Sequence, residues 1–126
     1  MTDAAAALFI VLSGATAAFQ LALAAGAPWG DASMGGRFPG KYPPLMRFAA
    51  IGFALVIVGL AAVVACRAGL AFASWYDTSR WLIWVVVAYS AIGLVMNLAT
   101  PSKLERAIWA PVTLLMLATS LVVALS

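Results

Sequence analysis

The chain offers few groups able to do bond-making chemistry. It has no histidine, one cysteine (Cys66) and four carboxylates: Asp3, Asp31, Asp77 and Glu105. Without histidine, imidazole-based metal, haem and proton-relay sites are excluded, and one thiol can form neither a cysteine-rich metal centre nor an intrachain disulfide. No acid and base are paired within an apolar stretch, and no hydroxyl has an evident activating base. The expectation is therefore a non-enzymatic protein without catalytic residues, metal or cofactor.

What remains is a set of side chains suited to binding: Gln20, Trp29, Asp31, Arg37, Lys41, Arg47, Asn97, Glu105 and Arg106. Its cations suit a lipid headgroup or another anion, which they would hold by charge-assisted hydrogen bonds. Gln20 and Asn97 lie close to apolar sequence, where an unpaired amide is costly, so each is expected to bond another helix or loop backbone. The same residues can thus serve as a latch holding loop to helix, or as a ligand site.

The elements that position them are four apolar stretches, roughly 4–25, 45–66, 79–99 and 105–125. Each is near the ~20 residues a helix needs to cross a ~30 Å hydrocarbon core. Across the chain 66% of residues are hydrophobic and 9% charged, against about 45–50% and 25% in soluble domains. Ile51 to Ala65 carries no charged or amide side chain on any face, which a soluble bundle would require. Barrel strands are excluded because the runs do not alternate. The fold class expected is all-α: an integral membrane, antiparallel four-transmembrane-helix bundle forming one membrane domain over 1–126.

The N-terminal stretch carries Asp3 and no lysine or arginine, and its apolar run exceeds that of a secretory leader. It is expected to remain as a helix, although Ala22-Leu23-Ala24-Ala25-Gly26-Ala27 has the small residues of a cleavage site. With four spans, both termini share one side and the first and third connections the other. Five of the seven basic residues (Arg37, Lys41, Arg47, Lys103, Arg106) fall on the connection side, leaving Arg67 and Arg80 on the terminal side. The positive-inside rule then places loops 26–44 and 100–105 in the cytoplasm and both termini outside.

Local punctuation sets the helix ends. Pro43-Pro44 suits entry into the second span, Asp77, Thr78 or Ser79 can cap the third, and Ser102-x-x-Glu105 after Pro101 is a capping box for the fourth. Pro111 lies about two turns inside that helix, where it removes a backbone donor and bends the axis. Trp75, Tyr76, Trp81 and Trp84 have the pattern of an interfacial aromatic belt. Small residues allow membrane helices to approach closely. In the first helix, rich in alanine with Gly14, a face of Ser13, Thr16 and Gln20 is expected to point into the bundle; in the second, Gly52 and Gly59 lie nearly on one stripe, extended by Ala49, Ala62 and Cys66.

Only one connection is long. Residues 26–44, GAPWGDASMGGRFPGKYPP, contain five glycines and four prolines among 19 positions, with Trp29, Met34, Phe38 and Tyr42 interleaved. Aromatic residues between glycine turns predict an ordered cap folded back onto the bundle end; the alternative is a mobile interfacial loop.

The elements Gly26-Ala27-Pro28-Trp29-Gly30, Gly35-Gly36, Pro43-Pro44, Arg47, Asn97, Ser102, Glu105-Arg106 and Pro111 resemble a group of small bacterial four-helix membrane proteins of unassigned function. That resemblance implies a fold and a bacterial inner (plasma) membrane, and no reaction. Small multidrug exporters share the four-helix plan, but they need a carboxylate within a helix and the acids here lie at ends or in connections. The expected role is a structural or accessory membrane component that binds lipid headgroups, with membrane lipids, a second copy or a larger membrane protein as partners and no nucleic acid. The alternative is a small transporter or channel for an anion or small solute, as a dimer.

Overall fold

Glycine and proline set the ends of the helices. In the computed structural model, which describes all 126 residues, these are α1 (Thr2–Ala24), α2 (Pro44–Arg67), α3 (Tyr76–Ala99) and α4 (Lys103–Ala124), and no strand occurs. After α1, Gly26 takes a φ of +102°, and the Ala27 N–H turns back to the Ala22 carbonyl at 2.9 Å. This is a Schellman stop, which needs a left-handed residue that glycine supplies without penalty. Gly69 ends α2 in the same way, with Leu70 N–H on the Ala65 carbonyl. Pro43 and Pro44 occupy the N-cap and first turn of α2, where a fixed φ and a missing N–H cost nothing. Thr100, the residue before Pro101, is extended and ends α3.

All four helices are long and apolar enough to cross a bilayer. α1 packs against α2 and α4, and α3 packs against α4 and α2, so the helices alternate in direction around a closed bundle. The termini meet at one end: Thr2 Oγ1 and Ser126 Oγ are 2.7 Å apart, and an Arg67 Nη donates to the Ser126 carbonyl. At the opposite end the 26–44 loop sits against the start of α4.

The core changes character along the bundle. At the terminal end every helix contributes aliphatic or aromatic surface, through Phe9, Val64, Ile83, Val86, Met116 and Val123 among others. Further along there are only Ala17, Ala54 and Ile57, and beneath the loop Leu23 and Ala50 close on Tyr42. The outer surface is apolar on every side, with Val11, Leu55, Val58, Val85, Ile92, Val95 and Leu115 exposed.

Two expectations about packing are corrected. Gly52 and Gly59 are exposed, and a Cβ added at either would meet nothing within 4 Å. The bundle does bury Ser13 and Cys66, as expected, and with them Ala17 from α1 and Ala50, Ala54, Ile57 and Leu60 from α2. Among the glycines inside the four long helices, the one that meets a neighbour is Gly93, whose Cβ position lies 3.5 Å from Thr113 Cγ2 on α4. The start of α3 also differs: the helix begins at Tyr76 with Trp75 as N-cap and no side-chain cap. Ser79 lies inside the first turn and donates to the Tyr76 carbonyl at 2.6 Å. Trp75, Tyr76, Trp81 and Trp84 are all exposed at this end, and α4 passes through Pro111 as one continuous helix.

Candidate functional site

The loop 26–44 is an ordered cap, built from two short 3-10 turns, Gly30–Ala32 and Met34–Gly36. Gly30 is its pivot. Its N–H donates to the Gly40 carbonyl at 2.9 Å, and a Cβ there would lie 1.8 Å from the Phe38 carbonyl oxygen. Only glycine fits so close an approach of backbone to backbone. The two arms of the loop are joined again by the hydrogen-bonded pair of Ser33 and Tyr42 hydroxyls. Tyr42 is 3% exposed, with Phe38 packed edge-on against its ring at 5.8 Å.

Three residues on one stripe of α4, at i, i+3 and i+7, hold this cap down. The Ser102 hydroxyl donates to the Asp31 carbonyl at 2.6 Å and accepts the Glu105 N–H at 3.1 Å. Glu105 Oε2 accepts the Gly35 N–H at 3.2 Å. Trp109 Nε1 donates to the Ala32 carbonyl at 2.9 Å. The capping box expected from sequence is thus half made. Ser102 caps the helix, but the Glu105 carboxylate turns away to the loop, and the Ser102 N–H is satisfied by Thr100 Oγ1 at 3.2 Å. Above the latch, Phe19 of α1 lies between two indoles, 4.7 Å from Trp109 and tilted, and 6.1 Å from Trp29 and stacked.

Glu105 is 7% exposed, and its one hydrogen bond from the cap is a backbone N–H. Tyr42 feels it: burial pushes the phenol above its usual range, the Ser33 hydrogen bond pulls it back, and the negative charge of Glu105 adds to the rise. Arg47 is half-buried, its Nε on the Tyr42 carbonyl at 2.9 Å and its guanidinium beneath Gly26, so it ties the entry of α2 to the exit of α1.

Of the residues predicted to form a site, the structure gathers Trp29, Asp31, Arg47 and Glu105 into the latched cap. Arg37 and Lys41 are exposed on the same loop. Arg106 is exposed beside it and donates to the Thr100 carbonyl at 2.7 Å, spanning the α3–α4 turn. The two amides depart from expectation. Asn97 bonds the Gly93 carbonyl of its own helix at 2.8 Å, and Gln20 Oε1 is buried without a partner. Neither makes a hydrogen bond to the loop. The Asp31 side chain is exposed while that of Glu105 is buried, so the two do not form an acid pair. Ser33, Tyr42, Ser102 and Trp109 belong to the latch and were not among the predicted contacts. The one available signal was that Trp109 stands four residues after Glu105, on the same face.

What the arrangement can do is present cationic side chains from an ordered backbone. Arg37, Lys41, Lys103 and Arg106 are exposed at this end around a backbone pinned at several points. Every hydrogen bond that an arginine makes goes to a carbonyl or a phenol, as seen for Arg47, Arg67 and Arg106. No group of His, Cys, Asp and Glu is arranged to hold a metal ion. Neither the known family models, nor the curated proteins, nor the solved structures contain a match to this chain.

Proposed function

We propose that this chain is a small non-enzymatic integral membrane protein, a structural or accessory component whose capped end binds anionic lipid headgroups in a bacterial plasma membrane. In this reading the cap and the α3–α4 turn face the cytoplasm and both termini face outward, as the positive-inside rule requires. The observation that carries it is the set of exposed cations, Arg37, Lys41, Lys103 and Arg106, around a loop latched to α4. Each basic side chain near an anionic surface contributes about 1 kcal/mol, and a fixed loop pays little ordering cost on binding. The test is extraction from mixed vesicles of phosphatidylglycerol and phosphatidylcholine into polymer-bounded discs. Phosphatidylglycerol enriched over the bulk membrane, and lost with Arg37→Gln, Lys41→Gln and Lys103→Gln combined, supports the reading; bulk composition in the discs refutes it.

A second reading, passage of an anion or small solute, draws on the interior. Ser13 Oγ and Ser90 Oγ, in residues 1% and 3% exposed, and Gln20 Oε1 have no hydrogen-bond partner within the bundle. Buried polar atoms without partners are uncommon and are often met by water or a ligand. Flux from proteoliposomes above that of empty vesicles supports this reading, and its absence across anions and small solutes ends it.

A further inference from the structure

Outside the latch, an open groove of about 400 Å³ runs between α3 and α4. Its walls are Leu94 and Leu98 on one side and Ala107, Ala110, Pro111 and Leu114 on the other, with Arg106 the only charged residue. We propose that this groove seats one acyl chain of a single anionic phospholipid whose phosphate is held by Arg106. The proposal rests on the membrane reading above and assigns it a defined site.

Three observations argue for this occupant. The first is length: from Arg106 to Leu114 the helix rises about 12 Å at ~1.5 Å per residue. That is close to one leaflet, about half of a ~30 Å hydrocarbon core. A groove that starts at the helix end and stops near mid-bundle matches a chain from one leaflet and not a spanning helix. The second is shape. Small residues at 107 and 110 leave the space, and Pro111 lacks an N–H, so the Ala107 carbonyl loses its helical donor within the groove wall.

The third is charge. Arg106 makes one hydrogen bond, to the Thr100 carbonyl, which fixes the guanidinium over the α3–α4 turn at the groove mouth. Its remaining N–H donors are free for a phosphate, which a guanidinium binds in bidentate fashion. Lys103 is exposed one turn earlier on the same helix, and the nearest carboxylate in sequence, Glu105, is buried under the cap. A lipid phosphate held by Arg106 therefore meets no competing acid from α4.

The experiment is native mass spectrometry of the full chain released from discs containing phosphatidylglycerol and phosphatidylcholine of identical acyl chains. One phosphatidylglycerol is expected to survive release on each protein, at least fivefold favoured over phosphatidylcholine. Arg106→Gln should abolish the preference. Ala107→Phe, at an exposed position where the ring fills the groove without entering the core, should lower retention of both lipids at least fivefold while the thermal midpoint is kept. Equal retention of the two lipids, or retention unchanged in Ala107→Phe, overturns the proposal. A disulfide-linked dimer of Leu98→Cys chains in the membrane that persists with excess phosphatidylglycerol also overturns it, since a second copy then fills the groove. If the discs are still enriched in phosphatidylglycerol when Ala107→Phe has no effect, the groove is wrong and the headgroup reading stands; if there is no enrichment, both fall.

Discussion

Gly35 and Glu105, separated by seventy positions in sequence, are joined by a backbone N–H to carboxylate hydrogen bond of 3.2 Å. A carboxylate placed at a helix N-terminus ordinarily folds back to its own cap. Here it is used to hold another part of the chain. Replacing Glu105 by alanine leaves the Gly35 N–H unpaired beneath the cap, a loss of about 1–3 kcal/mol. Glu105→Gln keeps an acceptor of the same shape and should lose less. Hydrogen exchange is expected to speed up across residues 30–42 in Glu105→Ala and to stay unchanged in α3; uniform acceleration would contradict a local latch.

Gly30→Ala is the sharper perturbation. The new methyl group would lie 1.8 Å from the Phe38 carbonyl oxygen, so the loop's two arms must separate. Overpacking of this kind costs about 1–3 kcal/mol, and here it also strains the Gly30 to Gly40 hydrogen bond. Thermal unfolding in detergent should show a lower midpoint than for Gly52→Ala, which lies within α2 with open space around the substituted position. Equal midpoints would dismiss the pivot.

Trp109 contributes through both its ring and its N–H. Trp109→Phe keeps an aromatic ring against Phe19 but loses the bond to the Ala32 carbonyl, for about 1 kcal/mol. Because Ser102 grips the neighbouring Asp31 carbonyl, its loss and that of Trp109 should couple. A double-mutant cycle of Ser102→Ala with Trp109→Phe is expected to deviate from additivity by at least ~0.5 kcal/mol; strict additivity would mean that the two contacts act independently.

The Tyr42 phenol is raised by burial first and by the Glu105 charge as well. A group whose folded-state pKa exceeds its unfolded value contributes stability that is fully present below the unfolded pKa and is lost as pH rises through the folded one. For a tyrosine that window opens above about pH 10. The cap should therefore hold at neutral pH and loosen in alkali, with phenolate absorbance of Tyr42 appearing later than that of a free tyrosine. Tyr42→Phe removes that alkaline step at the expense of the Ser33 bond, and an unchanged alkaline profile would rule Tyr42 out as its source.

The proposed topology is checked by labelling single cysteines in a Cys66→Ser background. Lys41→Cys and Lys103→Cys share the capped end, whereas Asp77→Cys and Ser126→Cys lie at the other. A membrane-impermeant maleimide applied to intact cells should reach the second pair and spare the first. The reverse pattern would invert the orientation and leave the fold as described.

The long elements were legible because apolar length and helix-ending residues act locally. Gly26, Gly69, Pro44 and Pro101 mark their boundaries through backbone conformation alone. The cap was legible as an element, since Trp29, Phe38 and Tyr42 between glycine turns have no place in a flexible linker. Its fastening was not legible. Which donor reaches the Ala32 carbonyl depends on the rotation of α4, and hydropathy does not fix that rotation when a helix is apolar on every side. The same ambiguity misplaced Gly52 and Gly59. A seven-residue spacing puts them on one stripe, but in lipid a small residue facing outward costs no more than one facing in. Gln20 and Asn97 were read as bridging groups from the cost of burying an amide, a cost that Asn97 meets within its own helix.

The latch also has a temporal meaning. The loop at Gly26–Pro44 is made early, whereas its three fasteners, Ser102, Glu105 and Trp109, belong to α4 and its N-cap, which leave the ribosome about sixty residues after the loop has done so. Until α4 arrives, the Ala32 and Asp31 carbonyls and the Gly35 N–H must be satisfied by water at the membrane surface. Closing of the cap therefore waits on α4, and it reports that the fourth helix has joined the bundle.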